Sequence, residues 1–223
     1  TLTSYFVGID VGSTMTKTVI LNEGIIASII GPTRPEQRRL ANRVMEEALK
    51  QADISLQAVT YIVSTGYGRI NVPFADKQLT EITCHAKGIV RLFPKAKTII
   101  DIGGQDVKGI KINAAGRVVD FVMNDKCAAG TGRFVEVIAD TLGVPLDKVG
   151  DLSLQGKNPA MISNVCTIWA QQEVAASLAQ GVPISDLLAG IHKSLADRIS
   201  RMVNRLRVEE EIIVTGGGGK NKG

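Results

Sequence analysis

The chain repeats itself. At a single ungapped offset of 91 residues, Asp10-Val11-Gly12 matches Asp101-Ile102-Gly103, Lys17 matches Lys108, Val19 matches Ile110, Leu21 matches Ile112 and Asn22 matches Asn113. A register held over that span marks a duplicated folding unit. Each copy reads as an antiparallel meander. Strands are expected over 5–10, 16–21 and 25–30, and again over 97–102, 107–112 and 118–123; Asn22-Glu23-Gly24 and residues 113–116 form the turns. Both copies end their first strand on an acid followed by a glycine-bearing turn. The expected fold is α/β with two similar lobes, over 1–95 and 96–223.

Helical spacing fills the remainder. Residues 35–52 carry Leu40, Val44, Ala48 and Leu49 on one face, with Pro35 in the first turn. A strand over 59–64 and a loop over 65–68 follow, then a helix over 79–93 that Pro94 stops. A helix over 131–142 presents Phe134, Ile138 and Leu142, and Gly143 ends it. Another runs from Cys166 to about Gln180. Ser185 is expected to cap a long helix striped by Leu188, Ile191, Leu195, Ile199, Met202 and Leu206, and a last strand spans 211–215.

With 44% hydrophobic and 22% charged residues, the 223-residue chain buries a core without disulfides or metals to staple it, so disorder is excluded as its main state. The net charge of +4 is scattered, with no Lys/Arg run longer than Arg38-Arg39, and aromatics are 4%; nucleic acid is not an expected partner. No apolar stretch is long enough for a membrane span and Thr1 to Asp10 lacks a signal-peptide pattern, so a cytoplasmic protein without membrane contact is expected.

The two acidic turns suit a nucleotide. Turns such as Gly12-Ser13-Thr14 and Gly103-Gly104 leave backbone N–H groups free to approach phosphate, since glycine has no Cβ in the way. Lys17 adds a point charge, and Asp10 and Asp101 at strand ends on one cleft would hold magnesium, which takes few carboxylates and several waters. Phosphoryl transfer needs mainly such positioning and charge neutralisation. The glycines 216–219, with Lys220, close the chain and do not open a βαβ unit, so they suit an adenosine face and not a dinucleotide fingerprint.

Three cysteines without a Cys-x-x-Cys argue against a disulfide framework. Cys127 and Cys166 both precede expected helix N-termini, where the dipole favours thiolate. On these grounds two readings stay open. They are buried structural cysteines, or each of two symmetric copies brings both to a dimer axis and completes four thiolates for a cubane cluster. Cys84-His85 diverge by about 100° on a helix and are expected to be core and not ligand. His192 is expected at a surface or interface, and Trp169 in packing.

Gly8-Ile9-Asp10-Val11-Gly12-Ser13-Thr14, Asp101-Ile102-Gly103-Gly104-Gln105-Asp106 and Val214-Thr215-Gly216-Gly217-Gly218 resemble the phosphate and adenosine motifs of the actin, sugar-kinase and heat-shock-chaperone ATPases. Residues 124–134 (Asn-Asp-Lys-Cys-Ala-Ala-Gly-Thr-Gly-Arg-Phe) and 164–167 (Asn-Val-Cys-Thr) resemble the cysteine segments of the 2-hydroxyacyl-CoA dehydratase activators and the ATPase subunits of benzoyl-CoA reductase. The resemblance runs over nearly the whole chain and implies ribonuclease-H-like lobes. It also implies an ATP-driven one-electron donor: a homodimer sharing one 4Fe-4S cluster, refilled by ferredoxin or flavodoxin and feeding a dehydratase or related reductase. On this match Asp10 and Asp101 serve magnesium, Lys17 the phosphates, Gln105 the attacked phosphate, and Cys127 and Cys166 the cluster. A small-molecule kinase and a non-catalytic nucleotide sensor are the rivals; both leave the two cysteines idle.

Overall fold

The computed structural model describes residues 4–124, 127–163 and 166–223; Asp125, Lys126, Asn164 and Val165 of the cysteine motifs lie outside the described residues. The chain forms two compact units, Thr1–His85 and Ala86–Gly223.

In the first unit, β1 (Tyr5–Val11), β2 (Met15–Leu21) and β3 (Ile25–Pro32) form the antiparallel meander, and α1 (Gln37–Ala52) leads to β4 (Val59–Thr65), which runs parallel to β1. A two-residue strand, β5 (Lys77–Gln78), completes the sheet order β3-β2-β1-β4-β5. Strand alternation turns Val7, Ile9 and Val11 inward. Against them α1 lays Leu40, Ala41, Val44, Met45 and Ala48, the i, i+4 stripe a helix needs to cover a sheet. The helix starts at Gln37, so Pro35 stands outside its first turn. α2 (Glu81–Leu92) starts after Thr80, whose hydroxyl accepts from the N–H of Thr83 and caps it. Cys84 on this helix is half-buried and not in the core.

The second unit repeats the plan. β6 (Thr98–Ile102), β7 (Val107–Ile112) and β8 (Val118–Asn124) form the meander; four helices follow, α3 (Gly132–Leu142), α4 (Leu146–Ser153), α5 (Thr167–Ala179) and α6 (Ile184–Val203). β9 (Ile212–Thr215) then pairs parallel with β6, giving the order β8-β7-β6-β9, the same as β3-β2-β1-β4. The register is also copied. Asp10 sits opposite Lys17 and Thr65, and Asp101 opposite Lys108 and Thr215.

Phe134, Ile138, Leu187, Leu188 and Ile191 fill the core of this unit. α6 begins at Ile184 behind Pro183, so Ser185 lies in the first turn and is not its cap; Leu206 falls in a short 3₁₀ turn beyond the helix. No helix among the described residues is long and apolar enough to cross a membrane.

Candidate functional site

In the first unit, the turn after β1 is closed by the Gly12 N–H donating to the Met15 carbonyl at 3.1 Å. Thr33 braces it, its hydroxyl donating to the Gly12 carbonyl at 2.9 Å and its N–H to the Thr14 carbonyl at 2.8 Å. Ser13 and Thr14 stand exposed at the tip. Lys17 Nζ meets Asp10 Oδ2 at 3.0 Å, whereas Asp10 Oδ1 is buried without a hydrogen-bond partner. A buried carboxylate oxygen left unsatisfied is costly. A residue the repeat did not reveal sits on this atom. Gly66, at φ +86°, has its missing Cβ where it would strike Asp10 Oδ1.

The second unit builds the same turn, Gly103 N–H donating to the Asp106 carbonyl at 2.9 Å, with Gly104 and Gln105 exposed. Thr215 Oγ1 donates to Asp101 Oδ1 at 2.9 Å. Gly216, at φ +83°, stands to Asp101 and Ile102 as Gly66 stands to Asp10 and Val11, and only glycine adopts that backbone beside them without strain. Here the copies diverge in charge pairing. Lys108, 4% exposed, pairs with Asp106 Oδ1 at 2.7 Å.

A cavity of about 720 Å³ opens beside this turn, within the size range of small-molecule sites. It is lined by Gly104 of the second glycine turn and by Gly217, Gly218 and Lys220, together with Gly132, Glu136 and His192, to which the sequence assigned no ligand role. His192 is half-buried at the cavity wall. Its Nδ1 lies 2.8 Å from the Leu188 carbonyl, an acceptor only, so Nδ1 carries the proton and Nε2 accepts from Asn221 Nδ2 at 2.9 Å.

Both candidate cluster cysteines lie in this second unit, half-buried and outside any disulfide. Cys166 is the N-cap of α5, as expected. Cys127 is not at a helix terminus. Thr131 is the N-cap of α3, and a tight turn intervenes in which the Ala128 carbonyl accepts from Gly130 N–H, Thr131 N–H and Thr131 Oγ1. The helix then starts directly on the glycine turn, with Gly132 and Arg133 N–H groups donating to the Gly103 and Gly104 carbonyls, each at 2.9 Å.

Among the described residues no group of three or more His, Cys, Asp or Glu forms a metal site. Two thiols in one chain are half the donor set of a four-thiolate cubane. Near Cys166 in sequence, Met161 is 99%, Trp169 64% and Ile168 62% exposed. Trp169 is thus largely exposed.

Two units of this topology share the fold of a Chromobacterium violaceum protein assigned as an N-acetylglucosamine kinase, with a TM-score of 0.56 at 14% identity. The chain belongs to the BadF/BadG/BcrA/BcrD ATPase family, which matches residues 7–223. It is 41% identical over 226 residues to the 2-hydroxyisocaproyl-CoA dehydratase activator of Clostridioides difficile, covering 98% of this chain and 83% of that one. Component A of the (R)-2-hydroxyglutaryl-CoA dehydratase of Acidaminococcus fermentans superposes with a TM-score of 0.91 at 39% identity, over 97% of this chain and 84% of that one. The Clostridium difficile activator with bound ADPNP gives 0.88 at 40% identity, over 98% and 82%.

Proposed function

We propose that this ATPase is the activator of a 2-hydroxyacyl-CoA dehydratase or related cluster-containing reductase. It works as a homodimer whose two copies each contribute Cys127 and Cys166 to one 4Fe-4S cluster. One observation carries the coupling: α3, which follows the Cys127 turn, is hydrogen-bonded at its first turn to Gly103 and Gly104 of the phosphate-binding turn. The cluster, when bound, supplies a single low-potential electron.

The chain's own residues do the rest. Each glycine turn offers N–H groups to the phosphates of ATP, Lys17 of the first unit offers positive charge, and Asp10 and Asp101, each in its own unit, are placed to hold waters of a magnesium ion. The buried, unpartnered Asp10 Oδ1 supports that assignment. Gln105, exposed at the tip of the second turn, orients the attacking water. Ser13, Thr14, Gly12, Gly103 and Gly104 contribute N–H groups to the phosphates, and Gly216, Gly217, Gly218 and Lys220 face the adenosine.

The uncovered Trp169, Ile168 and Met161 beside Cys166 are the surface a second copy buries, consistent with the isologous contact that would double the thiols. A ferredoxin or flavodoxin refills the donor, and a reducing cytoplasm is its compartment.

Anaerobically purified protein is expected to hold about four irons per dimer. Cys127→Ser and Cys166→Ser are each expected to lose the iron and the electron paramagnetic resonance signal of the reduced protein while still binding ATP. Trp169→Glu is expected to give monomers that bind ATP but hold no cluster. Wild-type protein free of iron, or serine variants that keep it, overturns the redox half of this proposal.

A further inference from the structure

The duplication makes each unit a control for the other. β1 and β4 bring Asp10 opposite Thr65, and β6 and β9 bring Asp101 opposite Thr215, in the same parallel register. Paired residues of neighbouring strands share a face of the sheet, so each threonine hydroxyl stands beside its acid. In the second unit the two are joined, Thr215 Oγ1 donating to Asp101 Oδ1 at 2.9 Å. In the first they are not. Thr65 Oγ1 and Asp10 Oδ1 are both buried, and neither has a hydrogen-bond partner among the described residues.

The cause lies on the other oxygen of Asp10. In the second unit Lys108 has Asp106 to pair with, at 2.7 Å. The residue at the place of Asp106 in the first unit is Met15, so Lys17 pairs with Asp10 Oδ2 instead, at 3.0 Å. Held by that oxygen, the carboxylate lays Oδ1 onto Gly66, where a Cβ would strike it. A hydroxyl and a carboxylate oxygen buried unpaired on one face cost free energy that a bond between them recovers. The torsion that turns an aspartate carboxylate is broad, so releasing Oδ2 lets Oδ1 turn. The side chain of Lys17 is 44% exposed, within reach of an anion outside.

We infer that Thr65 is a positioning residue for Asp10: when a phosphate draws Lys17 away, Thr65 Oγ1 donates to Asp10 Oδ1 and holds the carboxylate as Thr215 holds Asp101. A carboxylate oxygen accepts twice, so Asp10 keeps lone pairs for a magnesium-bound water while Thr65 holds it. That the phosphate belongs to ATP rests on the function proposed above; the exchange of Lys17 for Thr65 does not.

The test is a melting cycle on the nucleotide-free protein, with ATP binding measured by calorimetry on the same samples. Thr65→Val keeps the β-branched shape and removes only the hydroxyl. Alone, it is expected to melt at or above the wild type, because it removes an orphaned polar group. In a Lys17→Met background, where Asp10 has turned to Thr65, the same change is expected to lower the melting temperature by roughly 1–6 °C, the loss of one hydrogen bond. Thr215→Val is expected to show that loss with no second change. Lys17→Ala replaces Lys17→Met should that variant fail to fold. Because Asp10 serves the metal, Thr65→Val is expected to weaken magnesium-ATP binding by about tenfold or more and metal-free ATP binding by less than about twofold. Thr65→Ser, which restores the hydroxyl, is expected to bind both within about twofold of the wild type.

A loss of stability from Thr65→Val with Lys17 in place, or no loss without Lys17, overturns the exchange. So does magnesium-ATP binding that Thr65→Val leaves intact, or that it weakens and Thr65→Ser does not restore. Wild-type protein that binds no ATP but shows the expected melting cycle refutes the nucleotide reading and leaves the exchange of Lys17 for Thr65 standing.

Discussion

The backbone N–H of Gly132 donates to the carbonyl of Gly103 at 2.9 Å, so the helix that follows Cys127 begins on the turn that follows Asp101. Gly132 must be small for this. A Cβ there would come within 3.0 Å of the Gly103 oxygen and 3.4 Å of Gly104 Cα, closer than the turn tolerates without shifting.

Gly132→Ala is therefore expected to loosen the two N–H bonds without touching either cysteine. Iron content should stay at the wild-type level, while the difference in iron-chelation rate between the ADP and ATP forms should shrink by about tenfold, roughly 1.4 kcal/mol of coupling. A variant with undiminished nucleotide response shows that the signal does not pass through this contact.

Gly216 and Gly217 are neighbours with opposite demands. At Gly216 the φ of +83° and the closeness of Asp101 Oδ1 and the Ile102 carbonyl exclude a Cβ, whereas at Gly217 nothing lies within 4 Å. Gly216→Ala is expected to cost about 1–3 kcal/mol and to lower the melting temperature by roughly 2–12 °C, with ATP binding lost as Asp101 shifts. Gly217→Ala is expected to melt like the wild type and to weaken ATP alone, because only a ligand occupies that space. Thermal scans with and without ATP check both, and the same cost is expected of Gly66→Ala beside Asp10.

Gly66 also shows where the sequence stopped being legible. The 91-residue offset exposed both meanders, down to the pairing of Asp10 with Lys17 and Asp101 with Lys108, because hairpins keep their spacing when a unit is copied. The return strand does not keep it. One helix, α1, separates β3 from β4, but four separate β8 from β9, so Gly66 and Gly216 fall out of register in sequence while holding equivalent places in space.

Other gaps have similar local causes. α4 carries Gly150, which reads as a breaker, yet Asn221 Oδ1 and the Lys222 N–H lie so close that a side chain would not fit. β5 is two residues long and has no period to read. Trp169 read as packing because an apolar helix ordinarily packs within its own chain, yet it is 64% exposed.

Asp10 is asymmetric, with Oδ2 neutralised by Lys17 and Oδ1 buried without a partner. If Oδ1 serves a magnesium-bound water, Asp10→Asn is expected to slow ATP hydrolysis by about 10²- to 10³-fold. It should also reverse the usual effect of a lost binding residue. In the absence of magnesium a carboxylate repels the triphosphate, so the variant should bind metal-free ATP at least as tightly as the wild type. Calorimetric titrations with magnesium and with a chelator separate the two, and weaker metal-free binding by the variant refutes the role.

Glu209 ties the segment that leads into β9, ahead of Gly216–Gly219, to the rest of its sheet. Its backbone exchanges hydrogen bonds with buried Thr98, its N–H donating at 3.1 Å and its carbonyl accepting at 2.8 Å, and its side chain pairs with Lys111 and Lys97. The hydrogen bond from Lys111, then the charge of Lys111 and of Lys97, hold this carboxyl below the usual carboxylate value. A carboxyl with a lowered folded pKa contributes stability that is fully present above its unfolded value of about 4.3 and is lost as pH falls through the folded value. Glu209→Gln should therefore melt below the wild type at pH 7, with the gap closing as both are acidified through and below pH 4. The pair is solvent-exposed, so 1 M salt should close most of the gap at neutral pH as well. Melting curves across that pH range decide it: no gap at pH 7, or a gap that stays unchanged or widens on acidification, means that the charge of Glu209 does not stabilise the fold.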